Sequence, residues 1–293
     1  MRLSSLFAVL ILCCATTAAA GPFDEPGVPT DAASLIGWAT GYLDYAPGDS
    51  VDPQWQAPEN ALGPAAGDAF DIVSLGEREF GSSEPPGRIT LTFDTPISNR
   101  PGCDLVVFEN GLATGDFVFA ELAYIEVSSD GETFARFPSV SLTADPVGEY
   151  GVVDPTDVHN LAGKHANAYG TGTGTPFDLE DLVEDVSVTS GGVDLDDIQF
   201  VRIVDVPGGG DYFDTATLLE YEADHVIYDV YPTVGSGGFD LDAVAVCDES
   251  VTDDDSPSFG DDDTTDDDDD DDSDDGMPQG SADGDDGDDG CGG

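Results

Sequence analysis

Between residues 21 and 249 the apolar positions fall into short runs separated by Gly, Pro and Asp clusters, a pattern of strands and not of long helices. The clearest alternation is RITLTF, which sends Ile89, Leu91 and Phe93 to one face and Thr90 and Thr92 to the other, as a half-buried strand requires. The same criterion predicts strands over 70–75, 89–93, 105–109, 123–128, 133–137, 200–205, 226–231 and 241–246. Asp130-Gly131 lies between two of these runs and predicts a hairpin. DLEDLVED, over 178–185, is long enough for two helical turns. Short strands with so little helix favour an all-β fold, a β-sandwich or jelly roll with long loops.

The two ends read differently. Residues 1–20 carry Arg2, an apolar run over 6–14 and then Ala18-Ala19-Ala20, the pattern of a secretory signal cut before Gly21. The alternative, a lipoprotein acylated at Cys14, puts Cys13 where a small residue is expected, so export with cleavage is favoured. No later stretch approaches the roughly 20 apolar residues of a membrane-spanning helix. Residues 250–293 hold 20 Asp and no Lys or Arg, which predicts an extended, disordered tail. The expected organisation is a signal peptide (1–20), one β-sandwich domain (21–249) and an Asp-rich tail (250–293). The expected location is secreted or extracellular, with the tail as a possible attachment to the cell envelope.

Charge narrows the function. With 63 acidic against 7 basic residues the formal net charge is −56, which excludes a nucleic-acid binder, because phosphate backbones need a basic surface. Residues 21–249 alone hold 43 acids against Arg78, Arg88, Arg100, Arg136, Lys164 and Arg202. A folded domain so charged repels itself unless salt screens it or cations bind, so a saline habitat and calcium binding both remain open. After cleavage three cysteines remain. Cys103 opens one apolar run and Cys247 closes another, so antiparallel neighbours would bring them together. A Cys103–Cys247 disulfide is expected in an oxidising compartment, with two free thiols as the alternative.

PENALGP (58–64), VSLG (73–76), ITLTFDTPI (89–97), DLVVFENG (104–111), FAELAYIEVSSDGETFARFPS (119–139), HNLAGKHANAYG with TPFDL (159–179), IQFVRIVDV (198–206) and YPTVGSGGFDLDAVAV (231–246) together resemble a family of bacterial exported cell-surface proteins, often with C-terminal sorting tails. The resemblance spans most of residues 55–247 and implies a galactose-binding-domain-like jelly roll. In that superfamily a VSxDGxxF hairpin, here 127–134, and a last strand opening on an aspartate, here Asp242, recur. Some relatives of this kind capture cobalamin, which the resemblance implies as one possible ligand. The terminal DDGCGG departs from the commonest sorting pattern, having neither an apolar span nor a basic cluster, although Cys291 is similar to the cysteine of some sorting signals.

Jelly rolls of this kind often hold a structural calcium at the sandwich edge, and calcium takes 6–8 oxygens from carboxylates and carbonyls. The resemblance and the strand ends together point to Glu109, Glu121, Asp240 and Asp242 as its ligands, with Asp205 in reserve. Asp240 and Asp242, two apart on one strand, are expected to project to the same side. The segment 155–177 gathers His159, Asn160, Lys164, His165 and Tyr169 between glycines, and is the expected binding loop for a carbohydrate or another small polar ligand. The Asp-Gly runs of the tail fit no EF-hand register. Catalysis has little support: Gly48-Asp49-Ser50-Val51 lacks the strand and histidine partner of a lipase block, and no phosphate-binding loop or H-E-x-x-H is present. The sequence therefore predicts a calcium-stabilised, non-catalytic binding protein. A surface-layer or adhesin component, a cobalamin-capturing protein and, least of all, a glycoside-active enzyme are the alternatives.

Overall fold

The computed structural model describes residues 20–49, 51–170, 172–216, 223–233 and 235–251. The expected signal segment up to residue 19 and the tail from residue 252 onward, Cys291 included, lie outside the described residues. In chain order the strands are β1 (Val28–Pro29), β2 (Leu35–Trp38), β3 (Gly41–Ala46), β4 (Val73–Ser74), β5 (Arg88–Ile97), β6 (Leu105–Glu109), β7 (Leu112–Thr114) and β8 (Phe117–Phe119). There follow β9 (Ala123–Ser128), β10 (Ala135–Arg136), β11 (Val140–Ser141), β12 (Val158–His159), β13 (Thr173–Phe177), β14 (Ile198–Asp205) and β15 (Asp240–Cys247).

One antiparallel sheet runs β1-β13-β6-β15-β2, with β4 also on β15, and a second runs β10-β9-β14-β5-β3. Val73, Leu105, Val107, Leu241 and Val244 of the first pack against Ile89, Leu91, Ile125, Val127, Val201 and Ile203 of the second in one buried core. Each such side chain contributes about 1.5–3 kcal/mol of burial, so period-two apolar runs suffice to hold the layers together. The fold is the all-β sandwich that the alternation predicted. No helix among the described residues is long and apolar enough to cross a membrane.

Several elements differ from expectation. The run 226–231 is not a strand: Val226 makes one isolated bridge, to Phe213, and the backbone is otherwise tied by single bonds, Ile227 N to Tyr212 O and Val230 N to Ala120 O. Its apolar pattern reflects burial of Ile227 and Val230 beside the second sheet, without a ladder. The runs 70–75 and 133–137 shrink to β4 and β10. The residues 178–185 break into a 3₁₀ turn (Leu179–Leu182) followed by a short helix (Val186–Thr189), because Asp178 and Asp185 each turn back to accept a backbone N–H as N-caps. β9 and β10 do form a hairpin, pairing Val127 with Ala135, but its connection is the longer loop 129–134, in which Asp130 Oδ1 accepts from Glu132 N and Thr133 N.

Residues 158–168 also depart from the surface loop expected there. β12 pairs with β11, Ala162 bridges Ala123, and Ala166 bridges Glu109, so the segment is laced to strand ends of both sheets. Leu161, Ala162, Lys164, Ala166, Asn167 and Ala168 are buried.

Candidate functional site: a buried acid cluster

β6 ends at Glu109 where its antiparallel neighbour β15 begins, so Glu109 and Asp240 are delivered to the same end of the first sheet; Leu241 is the register partner of Glu109. Glu121 reaches that end from the other sheet, two residues before β9. All three are buried and line a cavity of about 390 Å³, together with Leu112, Phe119, Tyr150, Thr233 and Ser236. Behind them lie three further buried acids, Glu77, Asp205 and Asp229.

Neutral donors hold these carboxylates in place. Ser74 Oγ donates to Asp240 Oδ1, and Ser236 adds a second bond. Thr233 N and Oγ1 donate to Glu77 Oε2 at 2.5 and 2.7 Å. Phe239 N donates to Asp205 Oδ1 at 2.8 Å and Leu122 N to Asp229 Oδ2 at 2.7 Å. Gly208 leaves the space that Asp229 occupies, since a Cβ there would lie 1.7 Å from Asp229 Oδ1. Two oxygens, Glu109 Oε2 and Asp205 Oδ2, are buried with no hydrogen-bond partner among the described residues.

Among the described residues no base answers these charges. Burial first, and then the neighbouring carboxylates, push Glu109, Glu121, Asp205 and Asp229 well above the usual carboxylate range. For Glu109 the neighbours are Asp240 and Asp229; for Glu121 they are Asp240, Glu109 and Asp229. Burial raises Asp240 to about 7 despite the hydroxyls of Ser74 and Ser236. The bases of the domain are committed elsewhere: Arg78 to Asp211, Arg88 to Asp44, Arg100 to Asp248, Arg136 and Arg202 to Glu126, and Lys164 to Glu25. Ionised carboxylates buried side by side are untenable without compensation, so the cluster needs protons or a cation. As arranged, no three His, Cys, Asp or Glu side chains among the described residues form a group that holds a metal ion. The acids share a region and a field, not a finished coordination shell.

The chain matches no family model and no curated protein. What the cluster does must be read from its own atoms.

Three of the four expected metal ligands, Glu109, Glu121 and Asp240, are thus brought together, and the reserve, Asp205, adjoins them. Asp242 is not with them. The register of β15 shifts between Leu241 and Ala243, which breaks the two-residue alternation that would have put Asp240 and Asp242 on one side. Asp242 instead accepts Ala66 N and Gly67 N, each at 2.9 Å, and the Asn167 side chain. Glu77 and Asp229 were missed. Asp229 stands inside the apolar run VIYDVY, where a lone acid signals burial, whereas Glu77 carries no such mark.

The expected ligand-binding residues are mostly spent inside the fold. Lys164 is buried, and its Nζ donates to Phe23 O at 3.0 Å and Glu25 Oε2 at 2.9 Å. His159 Nδ1 meets Glu25 Oε1 at 2.7 Å while its ring stacks on Phe23. Although burial acts upward on Glu25, the bonds from His159 and Lys164 hold it at about 2. His165 contacts Glu25 O and Thr175 Oγ1, and burial followed by the Lys164 charge lowers it to about 4. Asn160 donates to Asp181 Oδ2 at 2.8 Å. His159, Lys164 and His165 clamp the segment 21–30 to the sandwich. Only Tyr169 is well exposed, while His159 and Asn160 line a separate hollow of about 550 Å³ with Glu25, Phe177 and Asp181.

Cys103 and Cys247 are buried neighbours and free thiols in this structure. A hydrogen bond between them raises Cys103, together with burial, and lowers Cys247.

Proposed function

We propose that the chain is an exported, non-catalytic binding protein of the cell surface whose sandwich is completed by a divalent cation at the buried acid cluster, with the cavity above it as the seat of a carbohydrate or another small polar ligand. The observation that carries this reading is the convergence of Glu109, Glu121 and Asp240 on the floor of one cavity with no base among the described residues to neutralise them. Hard oxygens in such number suit calcium, and the unpartnered Glu109 Oε2 is an acceptor in want of a positive charge. Glu109, Glu121 and Asp240 would hold the ion, and Thr233 and Ser236 would add hydroxyl oxygens. Phe119 and Tyr150 offer apolar walls of the kind that sugar rings use. This moves the expected ligand from the 155–177 segment to the cavity over the acids. The Asp-rich tail fits a spacer toward the cell envelope.

Calorimetric titration of calcium into the full chain tests the cation. To set aside any counter-ions gathered by the Asp-rich tail, wild type is compared with the Glu109→Gln/Asp240→Asn variant: a site lost in the variant supports the reading, and identical isotherms refute it. Retention of soluble oligosaccharides, in calcium and in EDTA, tests the ligand.

A second reading, a glycoside-active enzyme, is favoured by one observation, that Glu109 and Glu121 are carboxyls raised by burial in an open cavity. Release of reducing ends from polysaccharide by the purified chain, lost in Glu109→Gln, would replace binding with catalysis.

A further inference from the structure

The segment clamped by Lys164 and His159 begins at a site of its own. Gly21 N donates to Thr156 Oγ1 at 2.5 Å, and Thr156 Oγ1 in turn donates to Asp154 Oδ1 at 2.6 Å. Phe23 N donates to Thr156 O at 2.9 Å. Gly21 is seated so closely that a Cβ on it would lie 2.3 Å from Asp157 Oδ1 and 2.4 Å from Thr156 O. Residue 21 therefore has to be glycine, whereas Ala20 before it is exposed. Burial and then the Asp154 charge push Asp157 upward. Among the described residues neither has a lysine or arginine partner, because all six bases of the domain are paired with other acids.

We propose that Asp154, Thr156 and Asp157 form a receptor for the α-ammonium group released at Gly21, so that processing between Ala20 and Gly21 locks the N-terminal segment onto the sandwich. In the uncut chain the Gly21 nitrogen is a neutral amide with one proton to donate. A peptidase adds water across the Ala20–Gly21 amide: Ala20 leaves with the new carboxylate, and Gly21 keeps the amine, which takes up a proton at neutral pH. The same nitrogen, already against Thr156 Oγ1, then carries a positive charge and three donors beside two carboxylates. Charge-assisted bonds of this kind are about twice as strong as neutral ones. The domain gains a seventh cation where two acids lack one, and Phe23, Glu25 and β1 follow as one pinned segment.

The inference rests on the export part of the proposed function but not on its cation, and its test separates the two. The mass of the exported chain's N-terminal peptide fixes the cleavage point independently of anything the site does. Full-length mature chain starting at Gly21 is then compared with the same chain Nα-acetylated and with one that retains Ala20, whose ammonium stands about 3.8 Å further out. The expected results are a melting temperature higher by roughly 2–4 °C for the free Gly21 amine, and slower hydrogen exchange at Phe23 N by about tenfold. Asp157→Asn, which keeps the shape, should erase the gap between free and acetylated chains, and Thr156→Val should narrow it. Equal melting and exchange in all three chains, or an exported chain that begins at another residue, would overturn the proposal.

Discussion

Glu109 and Asp240 face one cavity because the end of β6 lies beside the start of β15: Leu241 pairs with Glu109, and Asn110 N donates to Asp240 O at 3.0 Å. Backbone pairing thus forces two buried acids together, and the energy of that approach must be met from outside the pair. With calcium at 100 times its dissociation constant the fold should gain about 2.7 kcal/mol, or roughly 5–10 °C in melting temperature. Glu109→Gln should remove most of that gain. In EDTA the same variant should melt no lower than wild type, since one of several like charges has gone. Differential scanning calorimetry of the four combinations checks it, and an unchanged calcium gain in Glu109→Gln would defeat the assignment.

The cluster also fixes a pH dependence. Glu109, Glu121, Asp205, Asp229 and Asp240 are all held above their ordinary values, so their protonated forms stabilise the fold in acid, and that contribution is lost as pH rises through the folded values. With Asp240 at about 7, the loss should be visible between pH 5 and 8 in EDTA, wild type melting lower at the higher pH. Calcium should flatten the slope and release protons on binding at neutral pH. Asp240→Asn in EDTA should shorten it. A slope insensitive to both would assign it to general charge repulsion across the domain.

How far the sequence leads depends on what each residue answers to. The runs at 105–109 and 123–128 match β6 and β9 end to end, because buried strands flanked by polar turns are set by local composition. The run at 226–231 misled because Ile227 and Val230 are buried by neighbours far along the chain, a tertiary cause that local pattern imitates. Glu109 and Asp240 were legible as strand-end acids; the separation of Asp242 was not, since a register shift in β15 leaves no mark in DLDAVAV. The histidines and Lys164 looked like ligand groups because polar side chains between glycines usually face solvent. Here an acid of the N-terminal segment, Glu25, consumes them, and a pairing across more than a hundred residues has no sequence signature.

Lys164 should therefore be a residue of stability. Its Nζ bonds to Phe23 O and Glu25 Oε2, and Glu25 is partly exposed, its side chain at 41%, which screens the pair. Lys164→Met is expected to cost about 1–2 kcal/mol in urea unfolding. It should also open residues 21–30 to proteolysis while leaving the calcium titration intact. Loss of calcium binding with unchanged unfolding would instead return this lysine to the site.

Cys103 and Cys247 supply a last test, of compartment as much as of fold. Cys247 N donates to Asp104 O at 2.8 Å, one step beyond the Val246–Leu105 pair, which sets the two cysteines diagonally across neighbouring strands. The thiol–thiol hydrogen bond and burial raise Cys103, and the same bond lowers Cys247, so Cys247 is the thiolate that forms first and would attack an oxidised disulfide reagent. Exchange with oxidised glutathione should thus close a Cys103–Cys247 bridge, lighter by two hydrogens than the reduced chain, and add up to about 5 kcal/mol by restraining the unfolded state. Cys247→Ser should stop the reaction outright. Native chain recovered from outside the cell is expected already bridged between these two residues. Mass spectrometry that finds both thiols free before and after oxidant would show that the strands hold them at a separation no bridge spans.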